Sequence, residues 1–448
     1  MPAFSVIGTA ILALILAGYM AQKYGLPPPP PKVVGIDLGT TFSSIGVYHA
    51  VTGKTEIIPN DLGKRSIPSV VAFLSNGSVL VGHRAVQQQE KNPLRTIYDA
   101  KRFIGKTFKE NDSQFQADQQ RYPFAVKLFE NGSAYFDIPL SGSERKIVTP
   151  EKVGGIIIQY LKSATEKAMN TPISQLVISV PAEFDEEQRN ATARAADFAD
   201  LETRRIISEP TAAALAYGLH KKKGVEYIVV VDLGGGTLDV SVLWLQGGVF
   251  VTQAMAGNNR LGGQDFNDRV QHFLIDYIEK KHGKSVTNKE DLQQLRLTIE
   301  EAKINLTSYS KATITLHLKN LETFSYELTR TEFEFINADL FDHITEPIKA
   351  ALEDAQITPE EVDEIVLVGG STRIPLVRKI VGSYFGQVPN FGIDPELDPF
   401  RPASSAVDGH FRLLRWSYRQ ISASAISTRR ERRSKHCFCC VEELDAIN

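Results

Sequence analysis

Two stretches of this chain join an aspartate to a turn of glycine and threonine, a combination suited to binding phosphate. The first, residues 33–41, reads VVGIDLGTT, and the second, residues 229–239, reads VVVDLGGGTLD. Because glycine has no Cβ, the backbone N–H groups of such a turn can approach phosphate oxygens closely. Asp37 and Asp232 would repel a phosphate unless a hard cation such as Mg²⁺ lay between them. Two such turns facing each other would hold the phosphates of a nucleotide from both sides.

β-Strands are expected to hold these two turns in place. An apolar run before each aspartate predicts a buried strand, and a second strand follows each turn, over residues 42–48 and 240–245. One copy alone would equally suit a hairpin with a structural glycine, whereas two copies in the same context favour a phosphate site. Strands alternating with helices along the rest of the chain predict an α/β architecture.

Three further positions are candidates for this site. Glu209 follows a predicted strand, and open α/β sheets bind ligands at the carboxyl ends of their strands. Residues 369–375 form a third strand-to-glycine turn, which opens a helix from Pro375 and can approach an anion or a flat ring. The adjacent cations Lys101 and Arg102 have two interpretations. They are a solvated face, which is the usual case, or they supply a lysine that reaches a γ-phosphate or the attacking water.

The same patterns predict the other elements. A strand is expected over residues 67–73. Pro210 is placed at the start of the helix that follows Glu209. Helices are expected over residues 150–169, 212–219, 289–306 and 332–341.

Composition sets the broad class. The 448 residues are enough for two or three core-bearing units, and 42% apolar with 23% charged residues excludes wholesale disorder. The formal net charge of −3 gives no reason to expect nucleic acid. The three cysteines, Cys437, Cys439 and Cys440, all lie near the C-terminus, so the body of the chain has no disulfide framework.

The two ends of the chain differ from its body. Residues 1–22 contain a charge-free apolar run, which predicts a signal peptide or an uncleaved signal-anchor and leaves that choice open. Residues 23–31 form a proline-rich linker. Residues 398–448 are rich in serine and arginine with weak apolar periodicity, and we expect a disordered tail. A membrane contact is therefore expected only through the N-terminal segment.

The motifs at residues 35–41, 207–218, 232–239 and 369–375 together resemble the ATPase domain of the heat-shock protein 70 (DnaK-type) chaperones. The resemblance covers residues 32–397. It implies an actin-like, or ribonuclease-H-like, two-lobed ATPase fold with duplicated mixed sheets and the nucleotide in the cleft between lobes at 32–222 and 223–397. Within the family, the chain looks most like the branch that consists of an ATPase core without a peptide-binding domain.

The resemblance also implies roles for individual residues. Mg²⁺ would be held, mainly through water, by Asp37, Glu209 and Asp232. The phosphates would be bound by Gly39, Thr40, Thr41, Gly234, Gly235, Gly236 and Thr237. Catalytic roles would fall to Lys101, Glu209, Asp232, Thr237 and Asp239. The adenosine would be contacted by Glu300, Lys303, Thr307, Gly369, Gly370, Ser371 and Arg373. Coupling of nucleotide state to the rest of the molecule would involve Pro181 and Arg189.

The sequence departs from the family in three ways. The family's interdomain linker, β-sandwich and helical lid are missing, so peptides are not expected to be clamped in the usual way. Ile304 stands where the family usually has an arginine that stacks on adenine, so the cation–π contribution is absent and weaker nucleotide binding is expected. After Leu397 the family continues with a helix that returns to the first lobe. A splice variant or a shifted reading frame would account for the different tail found here.

Three functions are compatible with these residues. The leading one is an ATPase that binds ATP and hydrolyses it slowly. Its cofactors would be ATP or ADP and Mg²⁺, with K⁺ as a further cation compatible with the site. The second is a nucleotide-dependent scaffold whose partners are J-domain co-chaperones and nucleotide exchange factors. The third, a sugar kinase on the same fold, is disfavoured because no sugar-binding segment lies between the phosphate motifs. The resemblance implies a monomer of the endoplasmic reticulum or microsomes, with secretion as an alternative, and no nucleic-acid partner.

Overall fold

A computed structural model describes residues 33–391 apart from 50–53, 141–142, 284 and 319–322, together with residues 13, 14, 16 and 19. Apart from those last four residues, which are helical, the predicted signal segment lies outside the described residues. So do the proline-rich linker at 23–31 and the divergent tail at 398–448. No helix in the described part of the chain is long and apolar enough to cross a membrane.

The strands fall into two sets in chain order. Those of the N-terminal half are β1 (Val33–Leu38), β2 (Phe42–His49), β3 (Lys54–Ile57), β4 (Ile67–Pro68), β5 (Val71–Phe73), β6 (Val79–Val81), β7 (Thr96–Ile97), β8 (Ala125–Leu128), β9 (Ala134–Pro139), β10 (Arg145–Val148), β11 (Gln175–Val180) and β12 (Glu202–Ser208). Those of the C-terminal half are β13 (Tyr227–Leu233), β14 (Leu238–Gln246), β15 (Val249–Asn258), β16 (Lys311–Leu316), β17 (Phe324–Thr329), β18 (Glu364–Val368) and β19 (Asn390–Phe391).

The α-helices connect and cover these strands. They are α1 (His83–Val86), α2 (Ser113–Arg121), α3 (Pro150–Met169), α4 (Glu186–Asp197), α5 (Glu209–Ala216), α6 (Gly263–His282), α7 (Lys289–Leu306), α8 (Arg330–Ile336), α9 (Ala338–Asp342), α10 (Thr345–Ala355) and α11 (Pro375–Phe385). Short 3-10 turns include Ala100–Arg102 and Gly370–Arg373, both of which contain predicted site residues.

The two halves repeat one sheet topology. The first sheet has the order β12-β11-β1-β2-β3, and the second has the order β15-β14-β13-β18-β19. In each, three consecutive antiparallel strands are extended by two strands parallel to the first of the three. β1 and β13, which carry the two phosphate motifs, therefore occupy equivalent central positions. The boundary between lobes at residues 222 and 223 stays a prediction.

Separate apolar cores hold the two halves. One buried cluster extends from Val34 to Leu201 and another from Val229 to Phe385. Helix α3 shows the local reasons for its placement: the Thr149 hydroxyl accepts a hydrogen bond from the N–H of Lys152, and Pro150 occupies the first turn. Its buried apolar stripe packs into the first of these cores, as expected for an amphipathic helix.

Each of two predicted elements is interrupted at one polar residue. The strand expected over residues 67–73 is interrupted at Ser69, because its hydroxyl donates to the carbonyl oxygen of Gly39 at 2.7 Å and lies 2.8 Å from that of Ser43. The helix expected over 332–341 is divided at Asn337, which is fully buried and donates from its side chain to the carbonyl of Phe333. Side-chain hydrogen bonds of this kind compete with regular backbone pairing.

The helix after β12 begins earlier than predicted. Glu209 is its first residue and the helix ends at Ala216, so the prediction of 212–219 was displaced. Gly218 follows with φ of 72°, a conformation that ends helices readily. Glu209 is thus fixed at a helix N-terminus, at the carboxyl end of a strand, as expected from the sequence.

Candidate functional site

The two glycine–threonine turns meet each other in the folded chain. A Cβ built on Gly235 would overlap the Oγ1 of Thr41, so only glycine allows this approach. The Thr41 hydroxyl is buried and has no hydrogen-bond partner among the described residues. A buried hydroxyl without a partner can form a hydrogen bond with a bound ligand. The first and second motifs therefore face each other, as a nucleotide held from both sides requires.

The third turn and the start of α6 support the second motif. Ser371 donates from Oγ to the carbonyl of Gly234 at 2.8 Å. The N–H of Gly263 donates to the same carbonyl at 3.0 Å, so both contacts hold one peptide of the second motif. A Cβ on Gly369 would lie 2.6 Å from the Oδ1 of Asp232. The turn at 369–375 thus packs directly against the second motif.

Lys101 is buried among three carboxylates. Its Nζ donates to Glu209 Oε1 at 2.8 Å, and the two side chains are 9% and 12% exposed. Burial by itself would lower the pKa of Lys101. The negative charges of Glu209, Asp37 and Asp232 outweigh burial, so the pKa is raised and the lysine stays charged. The residues predicted to hold Mg²⁺ and the predicted catalytic lysine therefore share one charge cluster.

Asp239 lies at the edge of this cluster with an altered proton affinity. It pairs with Asp232 across β13 and β14, and its Oδ2 accepts a hydrogen bond from Thr237 Oγ1 at 2.9 Å. Burial and the charges of Glu209 and Glu183 raise the pKa of Asp239 to about 7, against the opposing effect of Thr237 and Lys101. A carboxylate with a pKa near neutrality suits the handling of a proton from water.

The predicted adenosine contacts begin beside the second motif. Lys303 donates from Nζ to Glu300 Oε2 at 2.8 Å and to the carbonyl of Gly263 at 2.9 Å. Burial would raise the pKa of Glu300, but Lys303 and a hydrogen bond from Asn267 lower it. A Cβ built on Gly263 would touch both Lys303 and Ser371. Glu300, Lys303 and Ser371 are thus brought to the same edge of the second turn.

The remaining predicted adenosine contacts are Thr307, Gly370 and Arg373. Thr307 caps the C-terminus of α7 about one turn beyond Lys303, and its hydroxyl donates to the carbonyl of Ile304 at 2.7 Å. Ile304, next to Lys303, is 52% exposed. Arg373 lies in the third turn, where burial and the neighbouring charge of Arg378 lower its pKa. Gly370 has open space where a Cβ would stand.

The donor set fits a magnesium ion held largely through water. Within the described ranges, no group of three or more histidine, cysteine or acidic side chains is close enough to ligate a metal directly. Asp37, Glu209 and Asp232 nevertheless all act on the charge of Lys101, so they lie around the same lysine. Mg²⁺ keeps several waters and is bound through few carboxylates together with substrate phosphates. Carboxylates at this wider spacing match that mode of binding.

Three features of the site were not identified from the sequence. Ser69 braces the first turn through the Gly39 carbonyl, and the start of α6 braces the second turn through Gly263. The double glycine at positions 262 and 263, where α6 begins, was the available signal for the second of these. The third feature is the burial of Arg102 beside Lys101, so the interpretation of this pair as a solvated face is wrong.

Two topologically equivalent mixed sheets, with glycine turns that meet between them, define the actin-like class of α/β nucleotide-binding proteins. Residues 33–397 match the family model described as Hsp70 protein. The chain is 44% identical to heat shock 70 kDa protein 13 of Rattus norvegicus and of Mus musculus, and 43% identical to that of Homo sapiens. Each comparison covers 88% of this chain and 91% of the relative.

The chain therefore belongs to the heat-shock protein 70 family. The predicted resemblance and the predicted actin-like fold class are both confirmed. Members of this family are ATPases that bind ATP or ADP with Mg²⁺ and work with J-domain proteins and nucleotide exchange factors.

Proposed function

We propose that this chain binds Mg·ATP between its two glycine turns and slowly transfers the γ-phosphoryl group to water. The observation that carries the proposal is the burial of Lys101 among Asp37, Glu209 and Asp232. Lys101 also lines a small cavity together with Gly39 and Thr40 of the first turn. Buried charges are costly in a purely structural core. They suit a site where phosphate and a cation balance them.

Different residues bind the cation, bind the phosphates and orient the attacking water. Asp37, Glu209 and Asp232 would hold a hydrated Mg²⁺, which would neutralise phosphate charge. Asp239 orients the attacking water, whose oxygen forms a bond to the γ-phosphorus while the bond to the bridging oxygen of ADP breaks. The proton released by the water passes to Asp239 and then to solvent. The phosphates are wrapped by Gly39, Thr40, Thr41, Gly234, Gly235, Gly236 and Thr237.

The adenosine is held at the neighbouring edge of the second turn. Glu300, Lys303 and Thr307, which follow one another along one helix, contact the adenosine. The open space at Gly370 supports a base site there, because a flat ring needs unhindered backbone. The residues that lie against the base are Gly369, Gly370, Ser371 and Arg373.

Coupling to partners is proposed through Pro181 and Arg189. Arg189 donates to the carbonyls of Phe184 and Ala182, and the Phe184 ring lies 5.7 Å from Lys101 Nζ. This contact chain leads from Lys101 to α4 and supports a role in reporting nucleotide state. We propose J-domain proteins and exchange factors as partners, and the endoplasmic reticulum or microsomes as the location.

Single-turnover hydrolysis of ATP, with and without Mg²⁺, tests the proposal. We expect phosphate release to water that requires Mg²⁺, and ADP binding that weakens in EDTA. Asp232→Asn should reduce the Mg²⁺ dependence of both. Transfer of the γ-phosphoryl group to an added sugar would instead support a kinase, and absence of nucleotide binding by the unmodified chain would refute the proposal.

A further inference from the structure

Arg102 is a buried cation with unused hydrogen-bond donors. Its side chain is 10% exposed, and its Nε and Nη2 have no hydrogen-bond partner among the described residues. Its remaining contacts are weak: Nη1 lies 3.4 Å from the carbonyl oxygen of Asn259, and Nε lies 4.0 Å from Asp99 Oδ2. Buried charged donors without partners are costly, so their retention calls for an explanation.

The unused donors face the second glycine turn. A Cβ built on Gly236 would overlap Nη2 of Arg102 and lie 2.5 Å from its Cζ. The guanidinium thus comes from the N-terminal half and covers a turn of the C-terminal half. Thr41 covers Gly235 in the same way and also has an unpartnered hydroxyl among the described residues. Two orphan donor groups therefore converge on two successive glycines.

We propose that Arg102 donates hydrogen bonds from Nε and Nη2 to the terminal phosphate of a bound nucleoside triphosphate. The assignment rests on the function proposed above and adds to it a residue that distinguishes triphosphate from diphosphate. Lys101 is already engaged by Glu209, so the adjacent cations have separate tasks. A planar guanidinium suits phosphate recognition because two parallel N–H groups can bind two oxygens.

Equilibrium binding to variants of Arg102 tests this assignment. Arg102→Met removes the charge and donors while keeping an extended side chain, and Arg102→Lys keeps the charge. Arg84→Met is the matched control, because Arg84 lies in the same half but is exposed and paired with Asp61. Each protein is titrated with Mg·ADP and with a non-hydrolysable Mg·ATP analogue, and its melting temperature is measured without nucleotide.

We expect Arg102→Met to weaken binding of the analogue by about tenfold or more while ADP binding changes little. The melting temperature without nucleotide should change little, because Nε and Nη2 have no hydrogen-bond partner to lose among the described residues and the Asp99 oxygen lies 4.0 Å away. The affinity of Arg102→Lys for the analogue should lie between those of the unmodified chain and Arg102→Met. Both affinities of Arg84→Met should match those of the unmodified chain. If Arg102→Met does not fold, the ratio of the two affinities in Arg102→Lys decides.

An unchanged ratio of analogue to ADP affinity would overturn the assignment. So would an equal loss of both affinities with a lowered melting temperature, because that pattern marks a structural residue. Failure of the underlying function looks different, since the unmodified chain would then bind neither nucleotide.

Discussion

The Nζ of Lys101 lies 2.8 Å from the Oε1 of Glu209, although 108 positions separate them in the sequence. The lysine lies in a 3-10 turn of the N-terminal half, and the glutamate is the first residue of α5. Their pairing joins the segment beside the first glycine turn to the helix that follows β12. The same pair also contributes to the charge balance of the site, so substitution of either residue should change that balance.

Lys101→Ala should abolish hydrolysis while leaving nucleotide binding measurable. Removing the lysine leaves Glu209 with an uncompensated buried charge, so the free energy of unfolding without Mg²⁺ should fall by about 3 kcal/mol. Single-turnover kinetics, ADP titration and chemical denaturation measure the three quantities. Lys311→Ala is the control, because its pair with Glu327 is exposed. Hydrolysis at the unmodified rate would contradict the catalytic role that the family resemblance implies for Lys101.

Asp239 should make stability depend on pH in the absence of Mg²⁺. Its pKa is raised to about 7 in the folded chain, from an ordinary value of 3.8. The folded state therefore binds the proton more tightly. The stabilisation that comes from protonating Asp239 is complete below pH 3.8 and is lost as pH rises through about 7. Asp239→Asn should flatten this dependence and raise the free energy of unfolding at pH 8 by on the order of 2 kcal/mol.

Denaturation at several pH values in EDTA measures this effect. Asp354→Asn, at an exposed position of α10, serves as a comparison that should leave the pH dependence unchanged. A profile for Asp239→Asn that parallels that of the unmodified chain would show that the carboxylate titrates normally.

Substitution by alanine should affect stability differently at two glycines of the site. Gly235→Ala places a Cβ against Thr41 Oγ1 and should cost about 1–3 kcal/mol of stability. Gly370→Ala meets open space, so stability should be kept while nucleotide binding weakens. Adding Thr41→Ala to Gly235→Ala should recover part of the lost stability, since the two residues are in contact. Denaturation measures the stabilities, and additive effects in this pair would argue against the close approach of the turns.

Ile304→Arg should tighten ADP binding by a few-fold. A guanidinium over the purine face adds a cation–π interaction of about 0.5–1 kcal/mol at an exposed site. Ile304 is 52% exposed, which leaves room for the longer side chain. Calorimetric titration measures the change, and Ile304→Met controls for side-chain length without charge. Unchanged ADP affinity in Ile304→Arg would show that this position does not cover the base.

Features that depend only on neighbouring residues were predictable from the sequence. Strand, aspartate and glycine turn follow one another within a few positions, so the motifs at Asp37, Asp232 and Gly369 were identifiable before folding was considered. Helices α3 and α7 were predicted with their observed bounds, because their apolar spacing and capping residues are local.

Which polar groups are buried, and which residues they contact, depends on the folding of distant segments against each other. Lys101 and Arg102 have the composition of a solvated turn, and their burial results from packing against Glu209 and Gly236, both more than a hundred positions away. The breaks at Ser69 and Asn337 also arise from hydrogen bonds that apolar periodicity does not register. Burial of a charge depends on partners brought together by the fold, and sequence spacing carries no information about those partners.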